Sequence, residues 1–139
     1  MATVAVVCAG VAVLSAGMRY NIALHKKKRG EVESNVNGIK TAQQAYEAEF
    51  DRYVAAEPHP VSVDALDPEP RVWSVGSAFD TIGWAPDGKV RSTYQVEVTA
   101  DGTDFRVHGW IDEDGDGVPA YYTATKSINA VRVSPNGVR

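Results

Sequence analysis

Three carboxylates at alternate positions, Asp112, Asp114 and Asp116, interleaved with Glu113 and Gly115 and followed by Gly117, are the residues of this chain best suited to chemistry. Oxygen ligands at that spacing can wrap a hard cation, and with no cysteine or paired histidine nearby they select calcium over zinc. In a helix-loop-helix calcium site the twelfth loop position is a bidentate glutamate. Counted from Asp112 that position is Thr123, and the flanks read as strands, so the motif is not of that kind. Repulsion among three such close carboxylates favours either a bound cation or an open, solvated turn, and an acidic, glycine-rich hairpin is the competing reading. No catalytic constellation accompanies the motif. His25, His59 and His108 fall in unrelated elements, with His59 between Pro58 and Pro60 as a surface loop residue. No serine occupies a glycine-flanked elbow and no phosphate-binding glycine loop occurs. Asp80, Asp87 and Asp101 sit among turn residues, where carboxylates cap backbone amides. The expectation is a protein that is not an enzyme, with no cofactor beyond calcium at the three aspartates.

The first segment, Met1–Met18 (MATVAVVCAGVAVLSAGM), carries no charge and no proline, and the basic residues Arg19, Lys26, Lys27, Lys28 and Arg29 follow it. As a helix rising ~1.5 Å per residue it spans about 27 Å, slightly under a ~30 Å hydrocarbon core. Val4, Val6, Val7, Val11, Val13 and Leu14 are thus expected in a membrane helix. The only cysteine, Cys8, lies in this segment, so the remainder forms no internal disulfide. Val7 is not the small residue that precedes a lipidated cysteine, and a charged start for a cleaved signal is missing. All 18 acidic residues follow Gly30, which leaves the rest of the chain acidic and argues against nucleic-acid backbone as its partner. The basic run suits anionic lipid headgroups or is a solvated flank. Because it follows the apolar run, the positive-inside rule leaves two possibilities: a cytoplasmic acidic domain, or a basic leader missing from the front. A length of 139 residues and 15.0 kDa fits one domain plus an appendage. The expected division is 1–30 for the helix and its basic flank and 31–139 for a globular domain.

From Glu31 the apolar period changes. Val32, Val36, Ile39, Gln43, Tyr46, Phe50 and Tyr53 recur at spacings of three and four, and the spacing predicts one helix face packed against a sheet, in a helix continuing to about Val54. Glu57–Pro70 holds four prolines and reads as a loop. Arg71–Val75 reads as a short strand, and Ala78–Trp84 leads into the turn at Pro86, Asp87 and Gly88. Arg91–Thr99 alternates through Tyr94, Val96 and Val98, and Asp104–Ile111 through Phe105, Val107 and Gly109, with Ala100–Gly102 turning the chain between them. Tyr121–Thr125 and Ala130–Val133 complete an antiparallel meander. The predicted fold is α+β: a long N-terminal helix, half membrane and half amphipathic, on a small antiparallel sheet.

Glu31–Tyr53 (EVESNVNGIKTAQQAYEAEFDRY) resembles the first helix of bacterial type IV pilins, and Thr41–Tyr46 with Ala48–Tyr53 resembles pilin-like proteins of the deltaproteobacterial kind. Ile82–Arg91 (IGWAPDGKVR) is similar to their segment joining helix to sheet, and Ile111–Gly117 and Ala124–Val133 to their C-terminal strands. The chain departs from the family at its front, where a basic leader, a glycine and a G-F-T-L-x-E type start are expected and Met1-Ala2-Thr3-Val4-Ala5 stands instead. Met1 is accordingly expected to correspond to an internal methionine, and the chain as written to assemble poorly without the family's glutamate. The proline that ends the family's membrane helix is absent, with Met18 near its place. The resemblance implies a pilin-like fold and a structural role: a minor pilin or pilin-like subunit of a type IV pilus in adhesion or motility. It also implies anchoring in the inner membrane of a Gram-negative bacterium, with the domain in the periplasm and then in an extracellular pilus. The implied partners are other pilin subunits, the pilus assembly machinery and inner-membrane lipid. A type II secretion pseudopilin is the nearest alternative, and a membrane-tethered calcium- or ligand-binding module that does not polymerise is the alternative of a different class.

Overall fold

Two apolar periods build the described chain, which in this computed structural model covers residues 30–139. The first makes helix α1, which occupies 30–50. Val32, Val36, Ile39 and Gln43 share one face at about 100° per residue, and all four are fully buried. Asp51 lies in the left-handed region (φ 57), and its amide donates to the Glu47 carbonyl at 2.8 Å, closing the helix there. Gln43 is polar within the stripe because its amide group has a dedicated partner. Its Nε2 donates to the Val54 carbonyl at 2.6 Å and its Oε1 accepts from the Val54 amide at 3.0 Å, which folds the segment after α1 back under the helix.

The second period, alternation, builds strands β1 (Ala56–His59), β2 (Ser92–Val98), β3 (Phe105–Ile111), β4 (Ala120–Thr125) and β5 (Val131–Arg132). A 3-10 turn at Val63–Ala65 and the short helix α2 (Ala78–Thr81) lie between β1 and β2. The strands form one antiparallel sheet in chain order. Tyr94 and Tyr122 both pair with Gly109, so Tyr94, Val96, Phe105, Val107, Ile111, Tyr122 and Ala124 face α1 and are buried beneath it. Gly109 sits where helix and sheet approach closely: a Cβ there would stand 2.6 Å from Val36 Cγ2 and 2.9 Å from Val32 Cγ1. Polar ties fix the helix along its length. Glu31 accepts from the Arg91 amide at 2.8 Å, Asn35 donates to the Tyr94 hydroxyl at 2.9 Å, and Asn37 accepts from the Ala130 amide at 2.8 Å.

The long N-terminal helix predicted from the sequence is the principal correction. Among the described residues no helix is long and apolar enough to cross a membrane. Glu31, Glu33, Lys40, Glu47 and Glu49 lie within 30–50, and the apolar residues of α1 form a stripe and not a girdle, the pattern of a helix that packs on one side only. The architecture is therefore a helix over 30–50 on a five-stranded antiparallel sheet. The description of a single-pass, inner-membrane, periplasmic and then extracellular pilus protein accordingly finds no spanning helix among the described residues. Val4, Val6, Val7, Val11, Val13, Leu14 and the basic run to Arg29 lie outside the described residues.

Smaller differences have local causes. The proline-rich stretch read as a loop supplies β1, an edge strand in which Pro58 is tolerated because only one side needs to pair. Arg71–Val75 contributes a single bridge, Arg71 to Val90, in place of a strand. The helix stops at 50 and not near Val54, because Asp51 turns and Gln43 captures Val54.

Candidate functional site

The acidic loop joins β3 to β4, and its own carboxylates shape it. Asp112 is buried at the end of β3; its Oδ1 accepts from the Gly115 amide at 2.9 Å and its Oδ2 from the Gly117 amide at 3.0 Å. Asp114 accepts from the Asp116 amide at 3.3 Å, and Asp116 from the Val118 amide at 2.8 Å. Gly115 and Gly117 take φ values of 74 and 79, left-handed conformations that a side chain would strain. Ligand atoms of Asp112, Asp114 and Asp116 all lie within 4.8 Å of one another. Chemically this donor set fits a hard, oxygen-ligated cation such as calcium. The same hydrogen bonds also make a self-satisfied turn, because each carboxylate already caps an amide of its own loop.

The stripe residues fall into two groups. Val32, Val36 and Ile39 are fully buried, and Tyr46 and Tyr53 are partly buried against the core. Phe50 is 54% exposed, touching Tyr46 at a centroid distance of 4.5 Å. It lies in the last turn of α1, lining a shallow groove with Ala42, Ala45, Thr81 and Ile82 instead of entering the buried core. His59 is not a free loop residue: it lies in β1, its Nε2 is 2.9 Å from the Ser74 carbonyl, and its ring meets Trp73 edge-on at 4.5 Å.

A second constellation was not legible in sequence. On the sheet face away from α1, His108 of β3 stands between Glu97 of β2 and Tyr121 of β4. Its Nε2 is 3.0 Å from Glu97 Oε2 and its Nδ1 bonds the Tyr121 hydroxyl. A carboxylate can only accept, so neutral His108 carries its proton on Nε2 and accepts from Tyr121 at Nδ1. Trp110 lies parallel to both rings at centroid distances of 5.4 and 5.2 Å, an offset stack that shields the pair. Burial holds His108 below the ordinary histidine range, with the Glu97 hydrogen bond and charge opposing and the Arg106 charge adding to the effect. Burial likewise raises the Tyr121 phenol, so it is not prepared to ionise. The arrangement orders three strands on one face, and its phenol is a poor nucleophile. The missing signal was register: the loop between β3 and β4 follows no short turn rule that would have placed Tyr121 opposite Trp110.

Compared with known proteins, the chain matches no protein-family model, no curated protein and no solved structure.

Proposed function

We propose that this chain is a structural subunit of the type IV pilin kind, working by assembly with other subunits and their assembly machinery and carrying out no chemistry of its own. The observation that supports this most is the seating of α1. Its buried stripe and polar ties fix the helix along one face of the antiparallel meander, giving a helix-on-sheet unit in which a helix positions a domain rigidly. The acidity of the chain after Gly30 makes protein a better partner than nucleic acid. The resemblance of Glu31–Tyr53 and Ile82–Arg91 to pilin segments points the same way. Deleting the gene in its host and restoring it on a plasmid is the test: loss and recovery of filaments support the reading, and filaments unchanged in number, length and function contradict it.

A second reading, a calcium-stabilised binding module that does not polymerise, draws on the three aspartate oxygens gathered within 4.8 Å. Melts of the full chain in millimolar calcium and in chelator separate the two. Under the module reading calcium stabilises by about 2.7 kcal/mol at a hundredfold its dissociation constant, and Asp114→Asn abolishes the shift.

A further inference from the structure

On the sheet face away from α1, Tyr121 differs from Tyr46 and Tyr53 in what its hydroxyl meets. All three are partly buried, whereas Tyr94 and Tyr122 are buried. The Tyr46 hydroxyl accepts from Arg52 at 3.2 Å and its ring lies 5.9 Å from that guanidinium, so a cation faces it and opposes loss of an electron. Tyr53 packs against the Phe105 ring at 4.7 Å. Tyr121 instead donates to His108 Nδ1, and among the described residues it is the one of these three that donates to a base. A phenol that has lost one electron is a strong acid. Tyrosine therefore yields its electron most readily where a base stands within hydrogen-bond reach to take the proton. Burial keeps His108 neutral around neutral pH and holds the Tyr121 proton on its oxygen, so acceptor and donor are both in the form that transfer requires. Glu97, 3.0 Å from Nε2, balances the charge that the imidazole then gains, and Arg106 acts against it.

We propose that Tyr121 is a modification site for one-electron oxidants of the inorganic radical class, with His108 as the acceptor of its proton. A carbonate radical takes one electron from Tyr121 and leaves as carbonate. The phenolic O–H bond breaks, its proton bonds to His108 Nδ1, and a neutral tyrosyl radical remains beside an imidazolium held by Glu97. A nitrogen dioxide radical then pairs its electron with the tyrosyl radical at the ring carbon next to the C–O bond. The hydrogen on that carbon returns as a proton to the oxygen, giving nitrotyrosine, and His108 releases its proton to water. Trp110, parallel to Tyr121 at 5.2 Å, feeds the same site. An electron lost first from the indole is replaced from Tyr121, whose proton again goes to His108. Oxidation of this kind is done to the chain by its surroundings and is independent of the subunit reading.

The test treats the full chain with a low dose of peroxynitrite in bicarbonate, which supplies both radicals, and measures nitration at each tyrosine by peptide mass spectrometry. Tyr121 should be nitrated about tenfold more than Tyr46 or Tyr53, the low end of what a positioned base contributes. His108→Gln should remove that preference and leave Tyr46 and Tyr53 unchanged. Glu97→Gln, on a side chain 62% exposed, keeps the hydrogen-bond acceptor without its charge and should lower Tyr121 nitration by a smaller factor. Hydroxyl radical adds to an aromatic ring without needing a base, so its labelling of Tyr121 gauges exposure and should be the same in His108→Gln as in the parent chain. Nitration of Tyr121 no greater than that of Tyr46 and Tyr53, or a preference that persists in both variants, overturns the site. So does oxidation that ends on Trp110 in place of Tyr121. Hydroxyl-radical labelling that falls in step with nitration overturns the part given to His108.

Discussion

Replacing Gly109 by alanine adds one methyl group at the point where the helix rests on the sheet. Its Cβ would stand 2.6 Å from Val36 Cγ2, 2.9 Å from Val32 Cγ1 and 3.3 Å from Tyr94 Cδ1. Against a normal carbon contact of about 3.5 Å, the overlaps with the two valines are roughly 0.9 and 0.6 Å. Neither valine can swing away, because β-branched side chains in a helix hold one rotamer and both residues are fully buried. Overpacking of this kind costs about 1–3 kcal/mol, offset by about 0.4–1 kcal/mol because alanine has fewer unfolded conformations than glycine. The net expectation is a loss of about 1–2 kcal/mol, or roughly 4–15 °C in Tm for a domain of this size. Val36→Ala alone costs about 2 kcal/mol through lost burial and the space it leaves. In the double variant the new methyl occupies that space, so the two losses fall short of additivity by at least about 0.5 kcal/mol. Thermal and urea melts of the four proteins measure the cycle. An unchanged Tm for Gly109→Ala, or strict additivity with Val36→Ala, means that α1 is not seated on Gly109.

Three further outcomes follow from the same packing. Ile39→Ala should cost about 2–5 kcal/mol, whereas Phe50→Ala, on a side chain 54% exposed, should stay within about 1 kcal/mol; equal losses in urea melts would contradict the placement of the stripe. His108 is held neutral by burial, so the folded state binds fewer protons than the unfolded state just below the ordinary histidine value of about 6.5. Its contribution is therefore complete above that value and is lost as pH falls through it towards the lower folded value; His108→Gln should flatten this part of the stability–pH curve, and a curve of unchanged slope would refute it. Asp112→Ala removes the acceptor of the Gly115 and Gly117 amides and should lower stability by about 1.5–3 kcal/mol, with Asp114→Ala costing less because its one accepted hydrogen bond is longer; the reverse order in chemical melts would contradict this division of roles.

Local patterning made much of this fold readable. Alternation through Tyr94, Val96 and Val98 and through Phe105, Val107 and Gly109 located β2 and β3 with the correct face inward, because one face of each strand is buried under α1. Val32, Val36 and Ile39 marked the helix face for the same reason. What escaped depends on contacts distant in sequence or on short pieces. Phe50 keeps the period of the stripe, but periodicity does not show that the helix stops at that residue and leaves its ring 54% exposed. Prolines 58 and 60 hid β1, whose edge position excuses the missing donor. Four residues of α2 are too few to show a period. The Glu97–His108–Tyr121 array needs three strands in register, and no one strand carries its signal. The acidic loop was legible as a motif, and its Asx-type hydrogen bonds show how the same residues serve a turn.

Immunogold labelling tests the subunit proposal most directly, using antibody to this chain on filaments isolated from cells that encode it, with mass spectrometry of the same fraction. Label distributed along or at the ends of the filaments, with peptides of this chain co-purifying through repeated sedimentation, is the expected result. Chain recovered wholly in the unassembled fraction, with filaments of normal composition and no label, contradicts a role in assembly.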